Sequence, residues 1–263
     1  MSDRVQSVDR AIDILMALVT GPKTLTDVCH STDLSKATAF RLLRSLADRG
    51  LVLKDPGRDN LYMLGPNLLR FAQGVTLGLG SLGTLAAPVL ERVAELTEET
   101  VTLHVRIGVE RICIHVIPSP NALRYTATPG SKAPLHVGAA GLVLIAFLEE
   151  SEIEQVLDSL PRPLEAVTEG TVTEVETLRR RLDAVRASGY AISSGERVTG
   201  AAAVSVPIRA HGELVAALSI LGPETRLPAA TLEGFAGELQ SAAEEVGVIL
   251  DGTPVATTKG EPK

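Results

Sequence analysis

The chain has no tryptophan, and its few phenylalanines and tyrosines bring the aromatic content to 3%. Its core must therefore be built from leucine, valine, isoleucine and alanine. The two cysteines, Cys29 and Cys113, lie far apart and share no metal-ligand spacing. That excludes a disulfide framework or a zinc knuckle, and free buried thiols are expected. The longest near-uniform apolar run, residues 137–148, falls short of the ~20 residues a membrane helix needs, so no membrane partner is expected. Residues 1–10 are polar and charged and lack the apolar segment of a secretory signal, so a cytoplasmic location is expected. G-x-S-x-G, H-E-x-x-H and paired C-x-x-C motifs are all missing. His104, Cys113 and His115 form the only local cluster of metal-type residues, with no convincing fourth ligand. They read as polar strand positions. No catalytic residue, metal or cofactor is expected.

What is present is ample apolar material. Apolar residues make up 45% of 263, enough to bury the core of one large or two ordinary domains. The net charge of −7 is unevenly placed: residues 1–70 carry +2 and the remainder −9. A mildly basic head on an acidic body suits a protein that meets phosphates with one domain only.

In the head, Val8, Ala11, Ile12, Leu15 and Val19 recur at helical spacing, predicting a helix over about 7–20 with Ser7 as its cap. Gly21-Pro22 stops it. A short second helix is predicted from about Thr26, itself a cap candidate, to Ser31. Ser35 caps a third helix that ends at Gly50. In that helix Ala39, Leu42, Leu43 and Leu46 mark the core face. The other face shows Lys36, Ala37, Thr38, Phe40, Arg41, Arg44 and Ser45, with no acid before Asp48. Small residues, hydroxyls and cations are what a helix needs to enter a major groove. The first turn reads bases in such helices, so Lys36, Ala37, Thr38, Phe40 and Arg41 are specificity candidates, and Arg44 a phosphate contact. A scattered basic face also describes an ordinary solvated helix. Residues 51–54 and 61–64 then form two apolar runs around a turn sequence, a hairpin that makes the head a winged helix-turn-helix. Lys54, Arg58 and Asn60 in that wing are backbone-contact candidates.

Residues 74–83 are glycine-rich and contain a formal G-x-G-x-x-G at Gly78, Gly80 and Gly83. A helical pattern, not a strand, precedes it, so a flexible domain boundary is expected rather than a nucleotide site. A helix follows from Ala86. Beyond it, Val101, Leu103, Val105 and Ile107 alternate with Thr102, His104 and Arg106, and Ile112, Ile114 and Val116 with Cys113 and His115, predicting a hairpin. A second strand pair is predicted over 202–208 and 214–221, and helices over 138–148, 173–188 and 228–250. Glu149, Glu150, Glu152 and Glu154 read as a solvated helix start. Strand pairs with intervening helices indicate an α+β domain with an antiparallel sheet.

The segments VQSVDRAIDIL at 5–15, LSKATAFRLL at 34–43 and YMLGP at 62–66 resemble the N-terminal domain of IclR-type (isocitrate lyase regulator) transcription factors. The resemblance implies a winged helix-turn-helix over 1–66, a linker over 67–85 that carries a linker helix, and a GAF-like α+β effector-binding and oligomerisation domain over 86–251; the turn-rich polar composition of 252–263 predicts a disordered tail. The resemblance also implies a repressor that binds a pseudo-palindromic double-stranded operator as a dimer or tetramer, with Ser35 among its DNA-binding residues, and answers to a small-molecule effector.

PGSKAPLHVGAAG at 129–141 and two segments at 189–197 and 200–208 look like effector-pocket elements of that family. They put forward Gly130, Ser131, Ala133, Leu135, His136, Gly138, Ala139 and Ala140, with Ser193, Glu196, Ala202, Ala203 and Ser205. Free N–H groups at a helix start near Gly138 bind carboxylates. Small residues there also permit plain helix–sheet packing. The sequence departs from the family at Gly138, Leu142, Ala202 and Ala203, where threonine, lysine and polar or cysteine residues are common. This predicts a less polar pocket and a carboxylate effector with an apolar part. Two other readings remain: a hydrolase with an appended winged helix, with Ser131 and His136 as its nearest nucleophile–base pair, and a winged-helix protein-interaction module.

Overall fold

The computed structural model describes residues 5–55, 61–77 and 79–252. The chain divides into two units, 1–78 and 79–263.

The first unit runs α1 (Gln6–Leu18), β1 (Lys23–Thr24), α2 (Leu25–Thr32), α3 (Lys36–Asp48), β2 (Val52–Lys54), β3 (Leu61–Leu64) and α4 (Asn67–Leu77). Its small antiparallel sheet has the order β1-β3-β2. Ile14, Leu18, Val28, Ala39, Leu43, Leu46, Val52 and Tyr62 form its core. Two helix starts differ from expectation. Ser7 lies inside α1, whose N-cap is Val5, without a side-chain bond. Thr24, not Thr26, caps α2. Its hydroxyl accepts the Asp27 N–H, and the Asp27 carboxylate accepts the Thr24 N–H in return. Thr24-x-x-Asp27 is a capping-box spacing, and that reciprocity outweighs a lone hydroxyl two residues on. Ser35 caps α3 as expected, accepting the Thr38 N–H at 3.3 Å. The core face of α1 is also rotated: Ile14 and Leu18 are buried, whereas Val8, Ile12 and Val19 lie outside.

The end of α3, the end of β3 and the start of α4 are tied together. The Asn67 side-chain amide donates to the Arg49 carbonyl at 2.8 Å, and the Asn67 N–H donates to the Gly50 carbonyl. The Gly65 N–H donates to the Leu51 carbonyl. A Cβ on Gly65 would stand 2.2 Å from the Gly50 carbonyl oxygen, so only glycine allows this approach.

The second unit runs α5 (Leu79–Thr97), β4 (Thr100–Ile107), β5 (Glu110–Ile117), β6 (Lys132–Pro134), α6 (Gly138–Ala146), α7 (Glu150–Ser159), α8 (Val175–Ser188), β7 (Ala191–Ser194), β8 (Ala201–Ala210), β9 (Glu213–Pro223) and α9 (Ala229–Asp251). The glycine-rich stretch read as a flexible boundary is helical on both sides of Gly78, in α4 and α5. Leu82 and Leu85 of α5 pack on the core, and helix interiors tolerate glycine at a cost of ~1 kcal/mol.

The six strands form one antiparallel sheet, β6-β5-β4-β9-β8-β7. The short β6 and β7 were not anticipated; neither carries an alternating run. On one face, Val101, Leu103, Val105, Val204, Val206, Ile208, Leu218 and Ile220 pack against α5 and α9. On the other lie α6, α7 and α8, and every residue of α6 is buried. Strand residues alternate between faces. Thr102, His104, Ser205 and Ser219 therefore lie on the α6 side and are themselves buried.

Candidate functional site

The outer face of α3 presents Lys36, Ala37, Phe40, Arg41 and Arg44, all exposed, with Thr38 half-buried. Phe40 is 51% exposed, although a phenylalanine on a plain solvated face gains nothing from water. Among the described residues, Lys36, Arg41, Arg44 and Lys54 of β2 take part in no ion pair. Ser35 has a capping duty first. Its hydroxyl accepts the Thr38 N–H and donates to the Thr38 hydroxyl at 3.0 Å. Arg58 and Asn60 lie outside the described residues.

In the second unit the α6 N-terminus, the β7–β8 segment and the α6 side of the sheet enclose a small cavity. Eight of the expected effector residues line it: Gly138, Ala139, Ala140, Ser193, Glu196, Ala202, Ala203 and Ser205. Five do not. Gly130 and Ser131 fix the loop to β5, the Gly130 N–H donating to the Cys113 carbonyl at 2.7 Å and the Ser131 carbonyl accepting the Cys113 N–H. Ala133 sits in β6 opposite Arg111. Leu135 belongs to the core under α6. His136 is buried, its Nε2 meeting the Glu165 carbonyl at 2.9 Å. This segment aims the helix; it does not meet the cavity. Ser131 and His136 form no hydrogen bond to each other.

The start of α6 is already occupied. Gly138, at φ +78°, turns the chain into the helix. Its N–H donates to the Glu196 carboxylate at 3.1 Å, and the Ala139 N–H donates to the Ser193 hydroxyl at 3.0 Å. Glu196 is buried and pairs with Arg181 at 2.6 Å. Its backbone carbonyl accepts from the Thr168 and Thr171 hydroxyls. The N–H groups expected to receive a ligand carboxylate at Gly138 and Ala139 are thus satisfied from within the protein.

The expectation of a weakly polar pocket holds on the helix side and fails on the sheet side. Thr102 of β4, Ser219 of β9 and Ser205 of β8 stand in one cross-strand row. The Ser205 and Ser219 hydroxyls are 2.6 Å apart. His104 and Arg111 line the same cavity, with Tyr125 from the segment between β5 and β6 and Arg197 from the segment between β7 and β8. Arg111 is 5% exposed, and burial, then Arg197, pull its pKa down to about 10. Burial and the charges of Arg111 and Arg197 hold His104 well below its usual range, so it is neutral at pH 7. Thr102, His104, Arg111, Tyr125, Arg197 and Ser219 were not foreseen as site residues. The signal was available for two of them. Thr102 and His104 form the polar half of the β4 alternation, and α6 covers that face of the sheet. His104 and Cys113 sit opposite each other in the β4–β5 pairing. Among the described residues no three histidine, cysteine or acidic side chains converge on one point.

A winged helix-turn-helix followed by an α+β domain with a built cavity defines a DNA-binding protein with a ligand-sensing domain. Comparison with known proteins gives the family. Residues 7–56 match the IclR helix-turn-helix domain, and residues 77–248 match the bacterial transcriptional regulator IclR C-terminal domain. The chain is 30% identical over 247 residues to the HTH-type transcriptional regulator BhcR of Paracoccus denitrificans, covering 93% of this chain and 87% of that one. It is 30% identical over 225 residues to the HTH-type transcriptional repressor AllR of Escherichia coli, covering 84% and 82%. The Thermotoga maritima IclR crystal structure superposes with a TM-score of 0.77 at 26% identity, covering 94% of this chain and all of that one. An IclR homologue from Microbacterium hydrocarbonoxydans complexed with 4-hydroxybenzoate gives 0.78 at 28%, with the same coverage. The chain belongs to the IclR family: it is a DNA-binding transcriptional regulator with an effector-binding domain, and not an enzyme. No helix among the described residues is long and apolar enough to cross a membrane.

Proposed function

We propose that the protein is a cytoplasmic repressor that binds a pseudo-palindromic operator as a homodimer or homotetramer and is controlled by a carboxylate effector with an apolar part. The observation that carries this reading is the basic face of α3, in no ion pair among the described residues, on a winged head, joined to a second unit with a built polar cavity. Lys36, Ala37, Thr38, Phe40 and Arg41 read bases, Arg44 and Lys54 hold phosphates, and Ser35 orients the first turn. Residues 67–85 serve as the linker between head and effector domain. Val5, Val8, Ile12, Met16 and Val19 form an apolar stripe along α1, each more than half exposed. Such a stripe favours self-association, because water-exposed apolar area of this extent is stabilised by a partner. The repressor named AllR and the 4-hydroxybenzoate complex among the relatives support the sign of regulation and the ligand class.

Selection of binding sites from a random duplex pool, followed by a salt titration on the winner, tests the reading. A pseudo-palindrome whose affinity falls steeply with salt supports it. No enriched site, with or without cell metabolite extract, rejects it.

A further inference from the structure

We propose that Arg111 holds the anionic head of the effector, in the role expected for the α6 N-terminus. This rests on the reading that the cavity takes the effector, and it names the group that recognises it.

The argument starts from an uncompensated charge. A buried cation is costly unless it is paired and hydrogen-bonded. Arg111 reaches the cavity wall from the middle of the β4–β5–β6 pairing, opposite Arg106 on one side and Ala133 on the other. Arg106 satisfies its own charge with Glu152 at 3.1 Å. Arg111 has no such partner. Its Nη2 donates to the Val137 carbonyl at 3.3 Å, and its buried Nε–H has no acceptor. Among the described residues no carboxylate lies within ion-pair distance of it. The nearest candidate in the cavity, Glu196, is committed to Arg181 and to the Gly138 N–H. Arg197 lines the same wall, in no ion pair among the described residues, and its charge adds to the unfavourable field on Arg111. The protein has kept an arginine dry, left a donor open, and spent the acid that lines the cavity, Glu196, elsewhere.

Such a site is completed by an acceptor from outside. Planar guanidinium donors match carboxylate oxygens, and in a low-dielectric wall that bond is stronger than in water. The remaining lining sets the body of the ligand: Ala127, Ala139, Ala140 and Leu221 offer apolar contact. A monocarboxylate with a compact apolar body fits both halves. Glu196 then has a separate duty, keeping the α6 N–H groups from competing for the acid.

The test uses the full chain, with benzoate and butyrate as probes and benzamide and butyramide as uncharged counterparts. Melting temperature and calorimetric affinity are the readouts. The wild type is expected to be stabilised by the acids and not by the amides. Arg111→Met, which removes the charge at similar length, is expected to weaken benzoate binding roughly 10- to 100-fold and to erase the preference over benzamide. Arg111→Lys keeps a charge without the planar fork and is expected to fall between. Equal binding of benzoate by the wild type and Arg111→Met overturns the proposal, as does equal stabilisation of the wild type by acids and amides, or by none of the four. If the arginine variants fail to fold, the acid-against-amide comparison on the wild type still decides. Operator binding is measured separately, so a protein that finds its operator yet binds benzoate without Arg111 loses the anchor and keeps the regulator.

Discussion

Glu196 accepts the Gly138 N–H at 3.1 Å across 58 residues of chain, and so joins the β7–β8 segment to the first turn of α6. The same carboxylate meets Arg181 of α8 at 2.6 Å. One buried acid therefore fixes the relation of a helix start, a second helix and the loop that closes the cavity.

Removing that acid leaves the buried Gly138 N–H without its acceptor and leaves the half-buried Arg181 guanidinium only the Ile192 carbonyl at 3.5 Å. Glu196→Ala is expected to lower stability by about 3 kcal/mol. In a double-mutant cycle with Arg181→Ala the two losses are expected to be clearly less than additive. Chemical denaturation with full additivity would show that the pair is not coupled.

Gly141 packs so closely that an added Cβ would lie 2.0 Å from the Leu135 carbonyl oxygen. Neither is a flexible side-chain end, so α6 must shift. Gly141→Ala is expected to cost ~1–3 kcal/mol, read as a drop of several degrees in melting temperature. Gly234, where a Cβ meets nothing, is the control.

His104 gives a pH dependence of definite sign. It is neutral in the folded protein well below the pH at which it would protonate in the unfolded chain. The unfolded state then binds the extra proton, so stability falls as pH drops through the unfolded value of about 6.5. The slope from this one group is at most ~1.4 kcal/mol per pH unit. Melting temperatures between pH 7.5 and 5 are expected to fall less steeply in His104→Gln. Parallel profiles would remove His104 as a source.

Arg44→Ala is expected to weaken operator binding nearly evenly across sequences and to reduce the salt slope by about 0.9 for the one phosphate lost. Arg41→Ala is expected to relax sequence preference as well. Site selection repeated on each variant separates the two.

Ile12→Glu with Met16→Glu charges the exposed stripe of α1 without touching Ile14 or Leu18. Sedimentation is expected to show weaker self-association, with little change in the fold by circular dichroism, since both residues are more than half exposed. Unchanged association would place the oligomer contact elsewhere.

How much of this was legible in the sequence differs between the units. The head was nearly complete, because its elements are punctuated by local chemistry: Ser35 caps, Gly50 stops, and Ala39, Leu43 and Leu46 mark one face. The α1 face was misjudged because apolar residues lie on two of its sides, and only packing tells which is buried. In the second unit the strands showed themselves by alternation. The cavity did so only in part. Gly138, Ser193 and Glu196 stand in segments resembling pocket elements, whereas Arg111 sits in a strand where a lone arginine reads as a solvated residue. Its burial comes from α6 crossing that face of the sheet, a long-range relation with no local signature. The same crossing makes Thr102 and His104 part of an inner wall.

Asn67 bonds the Arg49 and Gly50 carbonyls, just past the end of α3, through its side chain and its backbone, while Gly65 lies flat against Gly50. The recognition helix and α4 are therefore welded at their junction, with no joint between them. A change in the direction of the first turn of α4 is expected to be felt at the base of α3.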